Sequence, residues 1–223
     1  ADVDPEHRWM ELVNSSYEVL SQIHADPKFG GEAGLVPNWV ALDANTGALL
    51  PADENEVGTP PMQFSFDASR VPLRLSLDWL WFKDDRARNA LDDLSLPRQE
   101  LQRDGKLLAA YKTDGTPTVD YEATSMYAGV LPGLLLADTS EERDLAHEVY
   151  AKDILGSYVD GPGSAYWGDD PKDYYNQNMA WFATAIMDGG MSNLWMGEKT
   201  IDWNEALYFD KDQFTIAKPE GAR

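Results

Sequence analysis

The sequence predicts an all-α domain of packed helical hairpins. Apolar residues return at three- and four-residue spacing in one segment after another, loops rich in Gly, Asp and Pro separate those segments, and no run shows a convincing strand alternation. Helices joined in that way bury their apolar faces against one another.

The first helix is read from Trp9, Leu12, Val13, Ser16, Leu20 and Ile23, an amphipathic face turned to a core. It ends before the loop ADPKFGGEAG, which leads into GLVPNWV. A long polar connector follows, ALDANTGALLPADENEVGTPPM, whose Pro60-Pro61 pair disfavours regular structure. Helical periodicity resumes after Ser65. Pro72 has no backbone N–H to give and fits within the first turn of a helix, so the next helix is expected to start near Ala68 or Ser69. Asp67 then stands just ahead of the first turn, where the helix dipole favours an anion. Beyond it Val71, Leu73, Leu75, Leu77, Trp79, Leu80, Trp81 and Phe82 cover nearly the whole circumference, with Asp78 the main exception. A helix apolar all round belongs in an interior. Further helical segments are expected near 84–94, 121–137, 140–155 and 174–188, and residues 191–223 read as a tail packed on the outside of a domain spanning 1–190.

Composition bounds the function. The 223 residues are 43% hydrophobic, enough to fill a real core, and 39 acidic against 18 basic residues give a formal charge of −21. So negative a surface makes nucleic acid and anionic membranes poor partners and points to neutral or cationic substrates. Cysteine is absent, which removes disulfides, a thiol nucleophile and a cysteine metal site. His7, His24 and His147 lie far apart in no ligand spacing, so no metal site is expected. No run approaches the roughly 20 apolar residues that span a bilayer, and ADVDPEHRW lacks the regions of a signal peptide, which leaves open that one was removed.

Within FSFDASR, Asp67 and Arg70 are three apart, within reach of each other on a helical turn. An arginine beside a carboxylate favours the ionised form and fixes its orientation, as a general base requires. The same spacing suits a buried ion pair with no catalytic role, and spacing alone favours that structural reading. The aromatic content tips the balance. Eight tryptophans and ten tyrosines include Trp39 in LVPNW, Tyr166 and Trp167 in GSAYWGDD, and Tyr174 and Tyr175 in DYYNQN. Sugar rings stack their C–H faces on aromatic rings, and their hydroxyls call for carboxylates, amides and guanidinium groups. Each ring taken singly is better read as packing; together they make a carbohydrate groove plausible.

The ordered series RW, GLVPNW, FSFDASR, DWLWFKDDRA and YYNQN, covering residues 8–190, resembles glycoside hydrolase family 8, a family of inverting endoglucanases, xylanases, lichenases and chitosanases. The resemblance implies an (α/α)6 barrel, of which this chain would form about half, the carboxy-terminal portion. It implies Asp67 as the general base that activates water, with Arg70 beside it, and no cofactor. Phe66 stands where the family commonly has tyrosine. Trp39, Tyr174 and Tyr175 are expected to line the groove with Phe66; the asparagine of the last motif falls on Asn176 or Asn178, and Asn178 is carried forward as a substrate contact. A subset of the family that includes chitosanases lacks this aspartate, so Asp67 favours a cellulose, β-glucan or xylan substrate and a secreted protein.

Two family motifs are missing: SEGMGY, which carries the general acid, and ATDAD. Inverting hydrolysis needs two carboxyl groups roughly 6.5 to 9.5 Å apart, and the chain supplies one. Half a ring of helices would also expose the apolar faces of its inner helices. The expected partner is the amino-terminal half of the barrel, as a second chain or a missing segment. Two other readings stand beside this one: a non-catalytic carbohydrate-binding or assembly module that retains the fold, and a structural helical protein whose aromatics serve self-association.

Overall fold

The structure, a computed structural model, describes residues 4–30, 33–161, 164–168 and 170–193. The tail expected over 191–223 lies outside the described residues from 194 onward.

The described chain is mostly helical. Helix α1 (Trp9–Ala25) leads through a 3-10 turn at Pro27–Phe29 into an antiparallel hairpin, β1 (Val40–Leu42) and β2 (Leu49–Pro51), in which Ala41 faces Leu50. After the short helix α2 (Glu54–Val57) and strand β3 (Gln63–Phe64) come α3 (Arg70–Phe82), α4 (Asp85–Asp92) and α5 (Ser95–Asp104). Strand β4 (Tyr111–Lys112) pairs back on β3. Helix α6 (Thr124–Leu134) is followed by α7 (Ser140–Val149), which runs on through a π turn at Tyr150–Ile154. The hairpin β5 (Tyr158–Gly161) and β6 (Ser164–Trp167) then delivers the chain to α8 (Tyr174–Met187).

The helical hairpins are real, and their turns follow from local chemistry. Lys83 ends α3 in the left-handed region at φ 56 with its ammonium 4.0 Å from the centre of the Trp79 ring, and Asp84 at once caps α4 by accepting from the Arg86 N–H. Helix α3 begins at Arg70 behind Ser69, and Pro72 falls inside its first turn as expected. Helix α6 packs between α3 and α8. The Ser125 N–H donates to Asn176 Oδ1 at 2.8 Å, and the Tyr175 hydroxyl donates to the Phe66 carbonyl. The amino ends of α3, α6 and α8 therefore gather at one end of the molecule. The core below them is filled by Phe29, Leu35, Phe64, Met126, Leu131 and Ile186, each at most 2% exposed.

Three sequence expectations need correction. The connector over 41–62 is not wholly irregular. Asp43 accepts from Asn45 N, Thr46 N and Thr46 Oγ1 at 2.8–3.0 Å, Gly47 takes φ +70, and this closed loop joins two strands too short to show an alternation. Helix α1 turns only its second half to the core: Ile23 is buried and Tyr17, Val19 and Leu20 pack against the core, whereas Trp9, Met10, Leu12 and Val13 are 36–60% exposed. Helix α3 is not interior all round, for Pro72, Leu73, Leu75, Ser76 and Leu80 are buried while Phe82 is 58% exposed. One side of it faces away from the described residues. Helix α5 was not anticipated, because SLPRQELQRD offers few apolar residues to mark a period.

Candidate active site

Asp67 sits in the turn that opens α3. The turn is built by backbone bonds, Ser69 N to Ser65 O at 2.8 Å and Val71 N to Ala68 O at 2.9 Å. It is also braced from outside by one side chain. Asn38 Oδ1 accepts from Ser65 N and from Ala68 N, each at 3.1 Å, and Asn38 Nδ2 donates to Ser65 Oγ at 2.8 Å and to the Pro60 carbonyl at 3.1 Å. An amide with both ends engaged fixes the backbone on either side of Asp67.

The carboxylate itself has two named partners. Arg70 Nη2 donates to Oδ1, while Arg70 Nε donates to the Asp67 carbonyl at 3.1 Å. Trp39 Nε1 donates to Oδ2 at 3.1 Å. A carboxylate has about four acceptor sites, so two remain free. The Asp67 and Arg70 side chains keep 29% and 34% of their exposure, which leaves the pair open to a ligand. The Asp67–Arg70 pair is part-buried rather than sealed.

Part-exposed aromatic rings stand around this turn. Trp39 is 43% and Phe66 39% exposed, and Tyr175 meets Phe66 edge to face with ring centres 5.9 Å apart. Burial pushes the Tyr175 phenol up, with the Arg70 charge opposing, so the hydroxyl stays a donor to the Phe66 carbonyl. Beyond Phe66 and Tyr175 a hollow of about 570 Å³ opens between the amino ends of α6 and α8, walled also by Tyr121, Glu122, Trp167 and Asp170.

The structure thus brings together Asp67, Arg70, Phe66, Trp39 and Tyr175 through direct contacts, and of these Phe66 and Tyr175 line the hollow. It places the other two candidates elsewhere. Tyr174 is 78% exposed and is not among the residues lining the hollow. Asn178 donates to the Tyr174 carbonyl at 2.7 Å and lines a separate hollow of about 520 Å³ with Tyr166 and Trp181. The reason is the helical period: residues 174 and 178 share one face of α8, while Tyr175 and Asn176 share the face turned to α3 and α6. Asn176, left as an alternative by the sequence, is the asparagine that ties α8 to α6. Asn38 was not singled out, although its place beside Trp39 in VPNW was a signal. Glu122 carried none.

The carboxylates along the hollow have structural duties. Glu122 accepts from the Tyr127 hydroxyl, and Asp173 caps α8 by accepting from Asn176 N at 3.1 Å and Nδ2 at 2.6 Å. Asp170 accepts from Lys172 N at 2.8 Å. Among the described residues, no group of three or more His, Asp or Glu is placed to hold a metal ion, and no helix is long and apolar enough to cross a membrane.

No family model matches the chain. It is 23% identical over 184 residues to a beta-glucanase of Niallia circulans, covering 82% of this chain and 41% of that protein. It is 24% identical over 186 residues to Endoglucanase A of Acetivibrio thermocellus, covering 83% of this chain and 33% of that one. Among solved structures, the apo beta-1,3-1,4-glucanase from a Paenibacillus species superposes with a TM-score of 0.67 at 21% identity, covering 83% of this chain and 45% of that chain. An endo-1,4-D-glucanase from Vibrio fischeri gives a TM-score of 0.58 at 18% identity, with 84% and 46% covered. The chain thus spans less than half the length of these relatives. At such identities the structural likeness shows the fold: helical hairpins forming about half of an (α/α)6 barrel, similar to part of known glycoside hydrolases.

Proposed function

We propose that the chain is the carboxy-terminal portion of a secreted, inverting β-1,4-glycan hydrolase of glycoside hydrolase family 8, with Asp67 as its general base. The observation that carries this reading is a part-exposed carboxylate with both oxygens oriented, by Arg70 and Trp39, next in sequence to Phe66, which with Tyr175 walls an aromatic-lined hollow. The curated relatives named beta-glucanase and endoglucanase support it. A water seated against a free lone pair of Asp67 would give up its proton as its oxygen attacks the anomeric carbon. A carboxylic acid on the opposite side, roughly 6.5 to 9.5 Å away, would protonate the leaving oxygen. Glu122 and Asp173 are engaged in folding contacts, so that acid is assigned to an amino-terminal half of the barrel, present as a preceding segment or a second chain. The substrate is a neutral β-glucan or xylan, in keeping with the net charge of −21.

The test is the assembled barrel assayed on soluble β-glucans and xylan. Asp67→Asn is expected to lower kcat at least about a hundredfold, and the first product should carry the inverted anomeric configuration by NMR. Equal rates for wild type and variant would remove Asp67 from the mechanism. The engagement of the other groove carboxylates favours one second reading, a glycan-binding module without chemistry. Glycan binding with no product release from the complete assembly would establish it.

A further inference from the structure

We propose that Trp39 is a positioning residue for Asp67, acting through its indole N–H rather than only as a sugar platform; the proposal rests on Asp67 being the base. Arg70 alone cannot fix the carboxylate. It grips Oδ1 and the Asp67 carbonyl, and rotation about the side chain's terminal bond would still swing Oδ2. The Trp39 N–H, 3.1 Å from Oδ2, stops that rotation from the opposite side. With a donor on each oxygen the carboxylate plane is set, and the two free acceptor sites face fixed directions.

The indole is itself held in place. Its own backbone N–H donates to the Pro61 carbonyl at 3.2 Å, and the preceding residue, Asn38, bonds Ser65 N and Ala68 N on either side of Asp67. Residues 38 and 39 therefore clamp both the backbone and the side chain of Asp67 from a loop some 28 positions away in sequence. A ring serving only as a stacking surface has no need to direct its nitrogen at a carboxylate. One serving only to anchor a loop has no reason to stand 43% exposed with its nitrogen on Asp67. The arrangement fits a group that sets the angle at which the base meets water, where small misplacements slow the chemical step.

The experiment uses the assembled enzyme and Trp39→Phe, which keeps an aromatic face and deletes the N–H. Expected is a fall in kcat of about tenfold with KM changed less than about twofold, the mark of an interaction made in the transition state rather than in binding. In an Asp67→Asn background the same substitution should bring no further loss, because Trp39 acts through Asp67. A raised KM at unchanged kcat, or a full further loss in the double variant, would overturn the proposal and leave a stacking surface. Retention of activity by Asp67→Asn alone would instead strike at the general-base reading. Should Trp39→Phe fail to fold, the indole N–H resonance of Trp39 decides: it should move upfield in Asp67→Asn, and an unchanged resonance overturns the clamp.

Discussion

Asp153 shows what happens to a carboxylate in this molecule when no clamp receives it. Its side chain is 17% exposed, Oδ2 is buried without a hydrogen-bond partner among the described residues, and Lys152 Nζ lies 3.4 Å from Oδ1. Burial pushes its carboxyl above the ordinary 3.8, and Lys152 only partly opposes that. The folded state therefore holds this proton more tightly than the unfolded chain does. The stabilisation is fully present below the ordinary value and is lost as pH rises through the raised folded value. Asp153→Asn removes that loss, so the melting temperature of the variant relative to wild type should climb as pH rises from the ordinary carboxylate range toward neutrality. A constant difference in thermal melts across that range would refute the assignment. His147 works in the opposite direction, since burial lowers it and its contribution, present above 6.5, fades as pH falls below that value. Comparing variant with wild type at each pH cancels the His147 term.

At the scale of elements, the approach of α3 to α6 positions the site. A Cβ added at Gly129 would lie 2.1 Å from the carbonyl oxygen of Ser69, two residues after Asp67. Backbone on one side and a glycine on the other allow the two helices this close. Gly129→Ala must separate them, and overpacking of this kind costs about 1–3 kcal/mol or more. Urea unfolding should show that loss, even though alanine is the better helix former. A neutral or stabilising effect would mean that the helices do not meet as described. The longer helices α1, α3, α6 and α8 were legible because their apolar residues recur over about three turns or more, and Pro72 marked the start of α3 within two residues. The β1–β2 hairpin and α5 were not, the first because three-residue strands carry no period and the second because its surface is mostly charged.

Over the whole molecule, apolar surface remains on several elements, most densely on α1 and α8. Trp9, Met10, Leu12 and Val13 stand out along α1, and Trp181 and Phe182, 54% and 38% exposed, along α8. Faces of this kind on separate helices suit a ring whose remaining members would cover them. The chain by itself should therefore self-associate and bind a hydrophobic dye. Adding the amino-terminal half of the proposed barrel should abolish the dye signal at one-to-one stoichiometry by light scattering. A monodisperse 24.9 kDa monomer without dye binding would argue against an open ring.

What the sequence determined alone was local: the helical periods, the strongly acidic balance, and the Asp67–Arg70 pair, whose members are three residues apart and need only one helical turn to meet. The tertiary structure decided which aromatics join that pair. Trp39 reaches Asp67 across 28 positions and Tyr175 reaches Phe66 across 109, distances over which no periodicity carries information. The same packing turned Tyr174 and Asn178 to another face of α8, because neighbours on a helix lie about 100° apart and only contact with α3 and α6 selects the side that faces the groove.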